Sequence, residues 1–244
     1  MKFFKEQAII NPTGIDLGDA KTMVITFSDH LFREIVDIYG AKKLCALPGC
    51  ATVNIYSFEL GGKKLLTYQS PVGAPAAVGA IEEVLASGVD NVVAFGICGA
   101  LTDIPTRNLV VPTKAYRDEG TSCHYAEKSD FVEVINSDKV AAHLTEIGAK
   151  FVKGGVWTTD AFYRETRSRA EYMKSNGCVA VDMECSALQT VCSFRGKNFY
   201  TFFITADSLA GDEWQPNYIL GENEAHDSAD VAAVKAAVTL AAKL

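Results

Sequence analysis

Apolar runs rich in β-branched and aromatic residues alternate with amphipathic or alanine-rich segments along most of the chain. The apolar runs predict strands at residues 23–27, 53–60, 64–68, 91–97, 109–116, 151–158, 178–182 and 199–205. The segments between them predict helices at residues 29–39, 75–87, 137–147, 165–175, 184–194 and 225–243. Short buried strands separated by helices are typical of a mostly parallel sheet that is covered on both faces.

The two apolar runs on either side of Gly61-Gly62 predict a hairpin, which adds an antiparallel component to the sheet. No linker, internal repeat or low-complexity tract interrupts the alternation. The pattern therefore predicts an α/β protein with a single domain over residues 1–244. We expect a three-layer α/β/α sandwich around a mixed, mostly parallel central sheet.

The composition narrows the class of protein. The 244 residues carry a net charge of −7, with 48% hydrophobic and 22% charged residues, which is ordinary for a globular protein. This acidic balance, without a Lys/Arg cluster, argues against nucleic-acid binding, and no run of about 18 apolar residues suggests a membrane span. Seven cysteines without a CxxC spacing, and no visible leader, predict reduced thiols in a cytoplasmic protein.

Polar and acidic side chains follow several of the predicted strands, which is where α/β sheets bind ligands. The segments are Cys98-Gly99-Ala100, Arg117-Asp118-Glu119-Gly120-Thr121-Ser122, Asp160-Ala161-Phe162-Tyr163-Arg164, Asp182-Met183-Glu184 and Ala206-Asp207-Ser208. A second interpretation stays open, because Asp and Ser also serve as ordinary helix N-caps. The dinucleotide-binding, P-loop and nucleophile-elbow motifs are absent, and the four histidines lack metal-ligand spacing.

These segments, together with Gly73-Ala74-Pro75 and Gly96-Ile97-Cys98-Gly99-Ala100, resemble the nucleoside phosphorylase/uridine phosphorylase superfamily in order and spacing. The resemblance extends from about Asn11 to the end of the chain. That superfamily also contains nucleosidases for methylthioadenosine and AMP. The resemblance implies the phosphorylase/hydrolase-like α/β/α fold and cleavage of an N-glycosidic bond.

The resemblance also implies roles for particular residues. Glu184 would hold the ribose hydroxyls while Met183 packs against the sugar, and Asp207 would protonate or hydrogen-bond N7 of a purine. Phe162 would stack on the base, and Arg164 is placed to reach a base edge or an anion. Alternatively, Phe162 could simply pack in the core, and Arg164 could be solvated.

The phosphate-binding pattern of the superfamily is only partly present. The loop after the first strand has Ser28 in place of Gly and its arginine displaced to Arg33, and Ala94 and Ile97 replace a second arginine and a hydroxyl residue. Two explanations compete. Phosphate could be held by other basic residues, such as Arg33, Arg117, Arg164 or Arg167. Alternatively, water could attack the sugar.

The function predicted from the sequence is a nucleoside phosphorylase, a pentosyltransferase that splits a purine nucleoside with phosphate into base and ribose 1-phosphate. Such an activity belongs to nucleoside catabolism and salvage. The alternatives are a nucleosidase acting on a nucleoside or nucleotide, a uridine phosphorylase, and a catalytically silent nucleoside-binding protein. The resemblance implies no metal or organic cofactor, phosphate as co-substrate, and assembly as a homodimer or homohexamer.

Overall fold

The computed structural model describes residues 3–49, 53–211, 213–216 and 228–244. The strands are β1 Thr22–Thr26, β2 Lys42–Ala46, β3 Asn54–Leu60, β4 Lys63–Gln69, β5 Asn91–Ala100, β6 Leu109–Asp118, β7 Phe131–Glu133, β8 Phe151–Thr159, β9 Cys178–Asp182 and β10 Asn198–Ser208. The helices are α1 Asp29–Tyr39, α2 Ala74–Ala86, α3 Ser137–Glu146, α4 Arg167–Ser175, α5 Cys185–Phe194 and α6 Ser228–Lys243.

Most predicted elements are present, and the differences have local causes. The sequence did not predict β2, because this edge strand is largely exposed and lacks an apolar pattern. The helix predicted to begin at Glu165 begins at Arg167, since a 3₁₀ turn over Phe162–Arg164 comes first. The predicted start of the last helix, residues 225–227, lies outside the described residues.

The ten described strands form one mixed sheet in the order β10-β6-β8-β9-β5-β1-β4-β3-β2, with β7 beside β6. Its longest pairings, β5 with β10 and β6 with β8, are parallel. Short antiparallel pairings join β10 to β6 and β9 to β5. Since β10 also pairs with β5, these five strands close into a ring, which the sequence did not predict.

Helices cover both faces of the sheet, as the sequence predicted. In β1, Met23 and Ile25 belong to the apolar cluster that contains residues of α2 and α5, whereas Val24 belongs to the cluster that contains residues of α1, α3 and α6. This alternation follows from the two-residue period of a strand. A smaller cluster around the buried Trp157 receives α4. The parallel strands β1, β5 and β10 therefore end together at one edge of the sheet, where the helices leave an opening.

The residues that flank helix α1 determine where the helix begins and ends. The Ser28 hydroxyl accepts a hydrogen bond from the Leu31 N–H at 3.3 Å and caps the first turn. Gly40, at φ 61°, ends the helix in the left-handed conformation that glycine adopts at low cost. The start of α1 is thereby held directly beyond β1.

Candidate active site

A cavity of about 510 Å³ lies beyond the ends of β1, β5, β9 and β10, a volume typical of small-molecule sites. Four carboxylate side chains line it: Glu165, Asp182, Glu184 and Asp207. Within the described chain, its lining contains no Lys, Arg or His. Apolar and aromatic side chains complete the walls, among them Phe27, Ile97, Phe162, Tyr163, Leu209 and Trp214. The cavity is therefore acidic and largely apolar.

Glu184 is a buried carboxyl group at the turn between β9 and α5. Its Oε1 accepts a hydrogen bond from the backbone N–H of Gly73 at 2.6 Å. Gly73 precedes α2 with φ 95°, a conformation that side chains rarely adopt, so glycine suits this contact. Burial, and to a smaller extent the Asp182 charge, raises the pKa of Glu184 to about 8. We call Glu184, Met183, Asp182 and Gly73 the Glu184 region.

Asp182 fixes the backbone that carries Glu184. Its Oδ2 accepts hydrogen bonds from the N–H groups of Glu184 at 2.8 Å and Cys185 at 2.6 Å. Its Oδ1 accepts one from the Thr158 hydroxyl at 2.8 Å. Burial raises the pKa of Asp182 to about 6, although these hydrogen bonds oppose the shift. Asp182 thus caps α5 and ties it to β8.

Arg117, near the end of β6, does not line the cavity. Its guanidinium is nearly buried and donates to the Ser122 hydroxyl at 2.8 Å, the Glu127 carbonyl at 2.7 Å and the Ser129 hydroxyl at 2.8 Å. These bonds hold the loop after β6 in place. The role of Arg117 in phosphate binding stays a prediction.

Asp207 lines the cavity next to a bulge in β10. Its Oδ2 accepts a hydrogen bond from the Trp214 indole N–H at 2.6 Å. A Cβ at Gly99 would lie 2.8 Å from Leu209 Cδ1 and 2.9 Å from Val181 Cγ1, so glycine permits this close approach of the strand ends. We call Asp207, Trp214, Phe162 and Glu165 the Asp207 region.

Phe162 begins the 3₁₀ turn after β8, and Glu165 directly follows that turn. The Phe162 side chain is 48% exposed and contacts Tyr163, with ring centroids 4.1 Å apart. Burial, and then the Asp207 charge, raises the pKa of Glu165 to about 7. The sequence did not single out Glu165. The available signal was an acid three positions after an aromatic residue at a strand end.

The remaining arginine candidates lie away from the cavity lining. Arg33 is exposed on α1 and pairs with Asp29 at 2.6 Å. Arg164 is also exposed and does not line the cavity. Ser28 and Ile97 do line it, so the part of the cavity beyond β1 is built from a capping hydroxyl and an apolar side chain. The roles predicted for Arg33 and Arg164 remain untested predictions.

Other ligand chemistry is limited in the described residues. No group of three or more His, Cys, Asp or Glu side chains there has the arrangement of a metal site. Six described cysteines carry free thiols, and Cys50 lies outside the described residues. Cys98 lines the cavity, but burial raises the pKa of its thiol, which disfavours a reactive thiolate. None of the described helices combines the length and apolarity that crossing a bilayer requires.

Sequence comparison relates the chain to enzymes of nucleoside chemistry. A model of the phosphorylase superfamily matches residues 21–244. Purine nucleoside phosphorylases of the DeoD type from Bacillus cytotoxicus and Bacillus cereus are each 29% identical to the chain over 158 residues. The aligned part covers 62% of this chain and 67% of each relative.

Solved structures show the same fold at lower identity. A uridine phosphorylase from Vibrio fischeri, solved with 6-hydroxy-1-naphthoic acid, superposes with a TM-score of 0.80 at 22% identity, covering 94% of this chain and 95% of that one. A purine nucleoside phosphorylase from Toxoplasma gondii, solved with immucillin-H, gives 0.77 at 17% identity, covering 92% and 93%. These two similarities establish the fold alone.

Proposed function

Because the chain belongs to the phosphorylase superfamily, we propose that it cleaves the N-glycosidic bond of a purine nucleoside. The observation that carries this proposal is one cavity lined by both the Glu184 region and the Asp207 region. The first offers a buried carboxyl group held by a backbone donor, and the second combines an aromatic side chain with a carboxyl group. The DeoD-type relatives are named as purine nucleoside phosphorylases, which supports the choice of base.

In this proposal the Glu184 region binds the ribose. An ionised carboxylate accepts two hydroxyl hydrogen bonds and stabilises positive charge that grows on the sugar as the bond breaks. Hydroxyl donors favour an ionised carboxylate over a protonated one. Ribose binding would therefore lower the pKa of Glu184 below about 8. Met183, which also lines the cavity, would pack against the sugar.

The charges of the lining favour a nucleoside over a nucleotide. Four carboxyl groups and no described cation line the cavity. A 5′-phosphate would enter without a charge-assisted partner, which is unfavourable. We therefore propose an uncharged nucleoside as substrate.

Phosphate is the first candidate for the attacking group, because the DeoD-type relatives are named as phosphorylases. A cation for the phosphate would have to come from outside the described lining, for example from a second copy in the proposed homodimer or homohexamer. Water is the second candidate, and the observation that favours it is the apolar Ile97 in an acidic lining. Hydrolysis would need no anion site.

Product analysis separates the two candidates. The protein is incubated with adenosine, inosine and uridine, with and without inorganic phosphate, and the bases and sugars are separated by chromatography. Purine release supports the proposed function; ribose 1-phosphate as product establishes phosphorolysis, and free ribose in the absence of phosphate establishes hydrolysis. If neither purine nucleoside releases its base under either condition, the proposed function is wrong.

A further inference from the structure

The Asp207 region contains two carboxyl groups in different environments. After β10, the chain folds back and pairs Ser208 with Gln215 through two backbone hydrogen bonds of 3.0 and 2.9 Å. This pairing carries Trp214 to the cavity, where its indole N–H donates to Asp207 Oδ2. This 2.6 Å contact orients the Asp207 carboxyl group, with one oxygen accepting from an N–H donor. Asp207 is thus equipped to accept hydrogen bonds.

Glu165 has the opposite surroundings. It follows the 3₁₀ turn, and its side chain lines both the main cavity and a smaller one of about 200 Å³. The charged groups that face it there are Asp207 from the β10 side and Arg167 from the start of α4. Among the described residues, no donor forms a hydrogen bond to its carboxyl group. Burial and the Asp207 charge raise its pKa to about 7, so about half of the molecules carry a proton on this group at pH 7.

We propose that Glu165 delivers the proton to the leaving base, while Asp207, oriented by Trp214, accepts a hydrogen bond from that base. This assignment rests on the proposed function. Two carboxyl groups that line one cavity but have different surroundings are a recurring way to divide acid and acceptor roles. The assignment makes Glu165 the acid and Asp207 a base-binding group.

As the C1′–N9 bond breaks, its electron pair stays on the purine. The Glu165 O–H bond breaks, and its proton goes to a ring nitrogen of the purine, so the base leaves neutral. The acceptor oxygen, from water or hydrogen phosphate, bonds to C1′. The proton that the water or the hydrogen phosphate then loses returns to Glu165 through solvent.

The same pair of groups defines the class of base. Protonated Glu165 needs a hydrogen-bond acceptor on the base, which purine N7 provides, and the Asp207 acceptor oxygen needs a donor. A 6-aminopurine offers both along one edge, whereas a 6-oxopurine places a second acceptor opposite the carboxylate. Leaving such groups unpaired is costly. The proposed substrate is therefore a 6-aminopurine nucleoside, and we expect adenosine to be cleaved at least tenfold faster than inosine.

The test compares Glu165→Gln with Glu171→Gln. Glu171 is an exposed carboxylate on α4 that pairs with Lys174 outside the cavity, so its variant is the matched control. Each protein is assayed on adenosine across pH 5–9 and on 4-nitrophenyl riboside, whose leaving group departs as a stable anion without a proton. Thermal unfolding of each variant is recorded alongside.

We expect Glu165→Gln to lose about 100-fold or more of kcat/KM on adenosine, the usual range for a general acid, and at most threefold on 4-nitrophenyl riboside. The wild-type kcat/KM on adenosine should fall as pH rises through about 7, and this decline should vanish in Glu165→Gln. Asp207→Asn should weaken binding and keep a decline, but move it to lower pH, because the Asp207 charge that helps to raise the pKa of Glu165 is lost.

Three results would overturn the assignment. One is adenosine activity in Glu165→Gln within threefold of Glu171→Gln. Another is an equal loss on both substrates in a folded variant, which indicates a structural role. The third is a preference for inosine. If the wild-type protein cleaves no nucleoside, the proposed function itself fails, and this inference fails with it.

Discussion

The Glu184 region and the Asp207 region line one cavity but are built differently. Glu184 and Asp182 are buried and bonded to backbone N–H groups or to a buried threonine, on elements that are part of the core. The Asp207 region depends on short segments after strands, and its aromatic side chains are exposed, 48% for Phe162 and 64% for Trp214. The first is suited to holding one fixed group, and the second to adjusting to the ligand.

The largest expected effect comes from breaking the Glu184 region. Glu184→Gln keeps an oxygen for the Gly73 N–H but removes the charge that stabilises the sugar cation. We expect kcat/KM on a purine nucleoside to fall by about 10³-fold, mostly in kcat. Steady-state kinetics of this variant beside Glu171→Gln measures the effect. A loss below tenfold would separate Glu184 from the chemistry.

The same group should set the pH dependence of stability. A carboxyl whose pKa is raised by folding, here from 4.5 to about 8, stabilises the protein fully below pH 4.5. That contribution is lost as the pH rises towards 8, because the unfolded chain ionises first. We expect the free energy of unfolding to fall by about 3 kcal/mol between pH 5 and 8. Denaturation at several pH values should show a weaker slope for Glu184→Gln, and an unchanged slope would contradict the assignment.

A smaller effect is expected at Asp182, which ties the Glu184 region to the core. Asp182→Asn replaces one of two acceptor oxygens, so the bonds to Thr158 and to the first N–H groups of α5 cannot all persist. We expect a loss of about 1–2 kcal/mol in the free energy of unfolding, measured in denaturant. Activity should fall with it, since Glu184 shifts. Full stability together with full activity would show that Asp182 does not position this turn.

The smallest effect is expected in the Asp207 region. Phe162→Ala removes an exposed ring, so folding should change little, while base stacking is lost. We expect the KM for a purine nucleoside to rise about fivefold, since stacking of a base on an aromatic side chain is worth about 1 kcal/mol or more. Tyr172, 52% exposed on α4, provides the control variant Tyr172→Ala. Equal KM values in both variants would place the base elsewhere.

The two regions also differ in what sequence reasoning could reach. Asp182 and Glu184 directly follow a short apolar strand, so the pattern located them, and the helix after them began one residue later than predicted. Glu165 was predicted as the first residue of a helix, whereas it follows a 3₁₀ turn and lies two residues before the helix that begins at Arg167. Trp214 reaches the cavity through the backbone pairing of Ser208 with Gln215, which no side-chain pattern encodes.

The fold likewise has parts that the sequence predicts and parts that it does not. The helices and long parallel strands follow from apolar periodicity, and their bounds agree with the sequence to within a few residues. The ring of five strands depends on two-residue antiparallel pairings, β9 with β5 and β10 with β6. Such short contacts between distant segments leave no periodic trace in the sequence. They nevertheless bring β9 against β5, and so place Glu184 in the same cavity as Asp207.

A crystal structure with a C-nucleoside analogue of adenosine would show where the ribose and the base bind, because the carbon–carbon glycosidic bond of the analogue cannot be cleaved. We expect the ribose hydroxyls within hydrogen-bond distance of the Glu184 carboxyl group. We expect the base beside Phe162, with the base edge facing Glu165 and Asp207. A nucleoside bound in the reverse orientation, or bound outside this cavity, would contradict this expectation.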